Sequence, residues 1–347
     1  MKPLVLAYYL PQFHEVVENN LWWGKGFTEW TNINNCKEYF PEHQIRKPIE
    51  PLGQYVLLED GVMEKQFEIA NDHGVDGFLI WDYWFGKGER ILEKPMEAIL
   101  EKKINLKYCL AWANHSWMNK SKGVLLKEQK YLGYEDYLDY FNYLLSHFKN
   151  ENYLKIQNKP IFSIFMPGDV VDLKVFYKTF EQLAKSNGFD GIYWLAENSI
   201  GNEEYLEFFN NYYNSGKLLS SRRFRGINYI LEYINRKTKD KFKLGPFVYN
   251  FEKLDEISVK RSLETKELPV IFSGWDSSIR HDNRGIILSG FNERTFEKHL
   301  DHVKSQIDHE KPIVILKSWN EWAEGNLLEP DSIFGFKLLQ ILKSKFG

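Results

Sequence analysis

The chain has 347 residues, 43% of them hydrophobic, which is enough apolar material for a large core and excludes a chain disordered by composition. Its 45 Lys and Arg are outnumbered by 48 Asp and Glu, and a formal net charge of -3 leaves no basic excess for the phosphate contacts of a general nucleic-acid binder. Two cysteines, Cys36 and Cys109, lie far apart in no metal or redox spacing, which points to a reducing compartment.

The first apolar run, residues 4–10 of MKPLVLAYYLPQF, is too short for a signal-peptide core or a membrane span and reads as a buried strand. A long connection, 11–60, leads to an amphipathic helix at 61–73 with Gly74 as its stop. Strand 77–83, helix 95–102, strand 107–113 and helix 134–149 come next. Strand 160–166, helix 173–187 with its stop at Gly188, strand 191–196 and a weak strand at 207–213 continue the alternation. A second long connection, 214–268, holds SSRRFRG and a helical piece at 227–238; connections of such length are usually lids or binding loops. Strand 269–273, helix 294–307, strand 312–318 and helix 332–343 complete the chain. No stretch approaches ~18 uninterrupted apolar residues, so no integral membrane segment is expected. The expected location is the cytoplasm, with peripheral association at the inner membrane left open.

Eight short apolar runs alternating with helices predict a single (β/α)8 barrel domain over 1–347, with rim insertions at about 11–60 and 214–268. A doubly wound open sheet is the alternative. Against it, the first strand runs into Pro11-Gln12-Phe13-His14 rather than a Gly-rich phosphate turn.

The C-terminal ends of the strands carry the informative pattern. After the first come Tyr9 and Gln12, then WWGKGFTEWTN with Trp22, Trp23, Glu29 and Trp30. The second ends in WDYWF with Asp82 and Trp84, and the third in WANHSW with Trp112, Asn114, His115 and Trp117. The fifth ends in AEN with Glu197, the seventh in GWDSSIR with Trp275 and Asp276, and the eighth in SWNEWAEG with Trp319, Asn320, Glu321, Trp322 and Glu324. In a barrel those ends share one rim, where active sites form. The chain is 16% aromatic, and aromatic faces stack on the C–H faces of sugar rings while carboxylates and amides take the hydroxyls.

Each group also has an ordinary structural reading. Asp82 and Asp276 could be caps or loop acids, His115 a satisfied rim histidine, and Glu29 and Glu197 could pair with Arg280 or Arg284. His14, Asp82, His115 and Asp276 could converge on a metal, yet no HxH, HExxH or CxxC spacing is present, and no metal or cofactor is expected. No G-x-S-x-G elbow supports serine catalysis. Glu321 and Glu324 are the best chemistry on offer. On a helical turn their Cβ atoms would lie ~5–6 Å apart, and one carboxyl would be pushed toward a general acid's pKa. Glycosidic cleavage needs such a pair, one group protonating the leaving oxygen and one assisting at the anomeric centre. The structural alternative for Glu324 is a cap on local amides.

YYLPQFHEVVENNLWWGKGFTEWTN, GFLIWDYWF, LEKP, WANHSW, GWDSS and WNEWAEGNLLEPD together resemble the bacterial WbsX-type family, labelled glycosyltransferase and found among O-antigen and capsule genes. Its fold is similar to that of glycoside hydrolase family 99, the endo-mannosidases, whose N-E-W-H-E-G motif matches Asn320 to Gly325 apart from Ala323. The resemblance implies a retaining mechanism in which Glu321 is the base on the substrate's own 2-hydroxyl, forming a 1,2-anhydro sugar, and Glu324 is the acid/base. Asp82 and His115 stand where WbsX-type members are expected to carry histidine and glutamate. The implied partner is an oligosaccharide or bacterial surface polysaccharide. A glycosyltransferase is the first alternative, with Arg222, Arg223 and Arg225 available to a diphosphate, and a non-catalytic carbohydrate-binding protein is the second.

Overall fold

The computed structural model describes residues 2–119, 122–197, 205–224 and 226–347. Arg225, singled out in the sequence, and the last residue of the AEN segment, Asn198, lie outside the described residues.

Eight parallel strands form the barrel: β1 (Leu4–Tyr9), β2 (Gly77–Asp82), β3 (Tyr108–Trp112), β4 (Lys159–Ile164), β5 (Tyr193–Glu197), β6 (Asn211–Tyr213), β7 (Val270–Phe272) and β8 (Ile313–Lys317). They pair in the order β7-β8-β1-β2-β3-β4-β5-β6. The remaining seam, between β6 and β7, is held by a parallel bridge of Tyr212 with Glu267, with amide bonds Tyr212 to Lys266 at 3.0 Å and Leu268 to Tyr212 at 2.7 Å. The predicted (β/α)8 barrel is therefore the fold. The strands bury nearly every residue, as apolar runs covered on both faces should.

The predicted helices stand close to their expected places: Val62–Asp72, Lys94–Glu101, Tyr134–Lys149, Leu173–Ser186 and Glu293–Ser305. The last helix, Lys337–Phe346, begins later than the expected 332. The Asp331 carboxylate accepts from the amides of Ile333 (2.8 Å) and Phe334 (3.1 Å) and starts a single turn, which Gly335 at φ 56° breaks before the helix begins.

Both long connections carry structure of their own. The first contains helices Val17–Trp23 and Glu29–Asn35, the latter begun by a Thr28–Thr31 capping box. The second contains helices Gly226–Lys237 and Phe251–Ser258 and a strand, Phe247–Asn250, which pairs in parallel with Ile286–Ser289 outside the barrel. A hairpin of Trp117–Asn119 and Val124–Lys127 rises after β3.

Candidate active site

The eighth strand leads into a tight turn that carries both glutamates. Asn320–Glu321 pairs with Asn326–Leu327, and the residues between them, Trp322–Glu324, form one 3-10 turn. In that geometry positions three apart eclipse, so Glu321 and Glu324 share one side. The Asn320 amide locks the turn to the end of β1, accepting from the Leu10 amide (2.7 Å) and donating to the Leu10 carbonyl (3.1 Å). Gly325 (φ 55°) leaves the turn in the left-handed region, where a Cβ would sit 2.7 Å from that of Asp276. The backbones are joined there as well: the Asp276 amide donates to the Glu324 carbonyl at 2.7 Å.

Asp276 itself holds a second turn. Its carboxylate meets His43 Nε2 at 2.7 Å and accepts from Ser278 N at 3.0 Å, starting the short helix Ser278–His281. That helix delivers Arg280 between three carboxylates. The guanidinium donates to Glu29 (2.9 Å) and Glu324 (3.1 Å) and lies 3.7 Å from Glu321. Burial alone would weaken its charge, but Glu29, Glu324 and Glu321 raise its pKa above the ordinary arginine value. Burial and then the Glu324 charge push the Glu321 carboxyl well above the usual carboxylate range, against the pull of Arg280. Of the pair, Glu324 has the direct guanidinium bond and Glu321 is the better place for a proton.

The four groups line a cleft of about 630 Å³. Its walls are aromatic: Tyr8, Trp23, Phe27, Trp81, Tyr83, Trp117, Phe165 and Trp275 contribute, together with Gln12, His115, Lys317 and Arg284. Tyr8 stacks on Trp81 with centroids 4.3 Å apart, and the Lys317 ammonium sits 5.0 Å from the Trp275 ring centre. Rings with hydroxyl, amide and charged groups at their edges can grip a sugar by its C–H face and its hydroxyls together. Among the described residues no group of three or more His, Cys, Asp or Glu is arranged to hold a metal ion.

Of the residues singled out in the sequence, the cleft gathers Gln12, Trp23, Glu29, His115, Trp117, Trp275, Glu321 and Glu324. Trp22 stands just behind it, its ring 5.6 Å from Trp117. The others go elsewhere, and for those on the strands the reason is parity. Successive strand side chains point to opposite faces, so only alternate residues of a strand end can enter a barrel's mouth. Tyr9 faces the outer helices and donates to Gln66 at 2.7 Å, while Tyr8 faces the cleft. Asp82 is buried behind β2 and accepts from Tyr140 at 2.6 Å, with burial pushing its pKa up to about 6, while Trp81 and Tyr83 face the cleft. Trp84 stacks on Tyr140, and Trp112 donates to the Trp84 carbonyl at 2.9 Å. Asn114 ties its strand end to Met166, donating to its carbonyl and accepting from its amide, both at 2.7 Å. Trp30, Trp319 and Trp322 are core residues, Trp322 donating to the buried Glu329 carboxylate at 2.5 Å. Asn320 and Asp276 position the two turns rather than facing the cleft.

Glu197 is a separate case. It points into the barrel below the cleft, where one carboxylate oxygen accepts from the Ser215 amide (2.9 Å) and the other has no hydrogen-bond partner among the described residues. Burial pushes its pKa up to about 7, moderated by Lys317 and Ser215. A carboxyl whose folded pKa exceeds its unfolded value stabilises fully below the unfolded value and loses that contribution as pH rises through the folded one. Glu197→Gln is therefore expected to gain stability relative to wild type between pH 5 and pH 8, by up to about 3 kcal/mol. Urea unfolding of both proteins at the two pH values measures it; an equal difference at both would refute the assignment.

Arg280, Tyr8, Trp81 and Tyr83 belong to the cleft, although the sequence pattern does not single them out as site residues. Strand parity carries the signal for the three aromatics, since Tyr8 alternates with the outward Tyr9, and Trp81 and Tyr83 flank the outward Asp82. For Arg280 the sequence offers a pairing with Glu29 or Glu197; the one with Glu29 is present, and Glu197 accepts from the Ser215 amide instead.

A sequence model of the family described as glycosyltransferase WbsX matches residues 5–342. The chain belongs to the WbsX family. Among curated relatives, the protein WxcX from one strain of Xanthomonas campestris pv. campestris is 28% identical over 96% of this chain, and WxcX from a second strain is 27% identical over the same share. The chain spans 48% of their length, about half. Among solved structures, a glycoside hydrolase-like protein superposes with a TM-score of 0.63 at 14% identity, covering 99% of this WbsX chain and 94% of its own. The family 99 endo-alpha-mannosidase of Bacteroides thetaiotaomicron superposes with a TM-score of 0.58 at 11% identity, covering 98% and 95%. At such identities the likeness speaks for the shared barrel. Within this WbsX barrel Ala323, which lies between Glu321 and Glu324 in the chain, is fully buried.

Proposed function

We propose that this chain is a carbohydrate-active enzyme that cleaves or transfers glycosidic bonds of a bacterial surface polysaccharide with retention, using Glu321 and Glu324. The observation that carries the reading is the glutamate pair at the C-terminal rim, clamped by Arg280 and opening on an aromatic cleft. One carboxylate takes the proton of the substrate's 2-hydroxyl as that oxygen attacks the anomeric carbon. The other carboxyl gives its proton to the departing glycosidic oxygen as the C–O bond breaks. Water or a sugar hydroxyl then opens the 1,2-anhydro ring from the opposite face, restoring the original configuration and returning the protons. The electrostatics favour Glu321 as the protonated partner, the reverse of the roles implied by the family 99 motif.

The test is to incubate the protein with the polysaccharide made by its own gene neighbourhood and to monitor the anomeric protons by NMR. New reducing ends that first appear in the substrate's configuration are the expected result. Inverted product, or an unchanged spectrum, would overturn the reading. The family's description and the cationic Arg284 and Lys317 in the cleft favour a second reading, transfer from an activated donor. Product that forms only when a nucleotide sugar is added would select it.

A further inference from the structure

The helix Gly226–Lys237 turns an apolar face to solvent. At 100° per residue Ile227, Ile230, Tyr233 and Ile234 fall within about 120° of one another. All four are between 39% and 70% exposed, as are the flanking Phe224 and Phe242. The opposite side is fastened to the protein: Asn235 is buried, Leu231 packs on the cluster beneath, and Asn228 donates to the Val248 carbonyl at 2.9 Å. The exposed face is thus held rigidly outward by a fixed inner one.

The charge around it is equally one-sided. Residues 222–244 hold eight Lys and Arg against two Asp and Glu, a net of +6 in a chain whose total is -3. Arg222 is committed to Glu232 through two bonds of 2.9 Å, which leaves it unavailable to the diphosphate considered from sequence. Arg223, Arg236, Lys237, Lys239, Lys241 and Lys243 are exposed, and several lie over exposed rings: Arg223 is 5.0 Å from Phe224 and Lys237 5.5 Å from Tyr233.

We propose that this face binds the surface of an anionic phospholipid bilayer, the apolar side chains entering the headgroup boundary and the basic ones meeting lipid phosphates. A second copy of the chain fits poorly, because two such faces would oppose like charges. The helix packs against the Asp282–Arg284 turn, and Arg284 lines the cleft, so a docked molecule would hold its cleft mouth near the lipid. That arrangement suits a glycan carried on a membrane lipid; this consequence rests on the function proposed above, whereas the membrane contact does not.

Co-sedimentation of the full chain with vesicles tests the contact without reference to activity. Binding to phosphatidylcholine vesicles containing phosphatidylglycerol is expected, with at least about tenfold weaker binding to pure phosphatidylcholine. The double variant Ile230→Asp/Ile234→Asp and the variant Lys237→Gln/Lys239→Gln/Lys241→Gln/Lys243→Gln should each weaken it by about tenfold, and added salt should weaken it further. All these positions are exposed, and unchanged far-UV circular dichroism checks that each variant folds. Failure of wild type to bind anionic vesicles, or variants that bind as wild type does, would overturn the proposal. So would sedimentation velocity showing a wild-type dimer that the isoleucine variant splits.

Discussion

Glu321→Gln and Glu324→Gln are each expected to lower turnover by at least about 10³-fold while leaving the fold intact by far-UV circular dichroism. Neither side chain holds the fold together: both face the cleft, and their turn is fastened by Asn320, Gly325 and the backbone bond to Asp276. The two variants should part company on a glycoside with a good leaving group. Such a substrate needs no proton at the departing oxygen, so the variant lacking the acid recovers bond cleavage and the variant lacking the base does not. Recovery in Glu321→Gln supports the roles that the Arg280 contacts favour; recovery in Glu324→Gln restores those implied by the resemblance. Because catalysis needs one carboxyl protonated and one ionised, activity should trace a bell in pH. Burial and Glu324 hold the Glu321 proton, so the alkaline limb should lie well above the ordinary carboxylate range. Wild-type activity in either glutamine variant would remove the pair from the mechanism.

Trp112→Ala should destabilise the protein by about 3–5 kcal/mol, measured by urea unfolding monitored with far-UV circular dichroism. Trp112 is 1% exposed, stacks on Phe176 at 5.1 Å between sheet and helices, and leaves the Trp84 carbonyl without its donor when removed. Trp275→Ala is the useful contrast. Its ring lies at the cleft, partly exposed, and its loss should cost far less stability while weakening substrate binding by about tenfold. If Trp112→Ala unfolds like wild type and loses only substrate affinity, Trp112 faces the sugar after all.

The barrel was legible because its signal is local and repeated. Eight apolar runs of strand length, separated by amphipathic helices, leave few architectures that bury both faces of a parallel sheet. The weakest strand, Asn211–Tyr213, is also the least regular place in the barrel, where a single bridge spans the seam to β7. Helix starts were legible where periodicity alone decides them. The last one shifted because the turn that Asp331 begins runs into Gly335 at φ 56°, a left-handed residue that no helix continues through.

What the chain's order of residues determined by itself was the fold and the gathering of aromatic and polar residues at the strand ends, with Glu321 and Glu324 three positions apart. Which side of each strand faces the cleft was decided by the tertiary structure. WDYWF offers two acid-or-aromatic sets one residue out of step, and only the closed barrel sends Trp81 and Tyr83 to the cleft and Asp82 to the helix layer. Arg280, far from Glu29 in the chain, became the group between three carboxylates only when the Asp276 turn was pressed against Gly325. Charge partners are chosen by distance in space, and a linear sequence does not carry that distance.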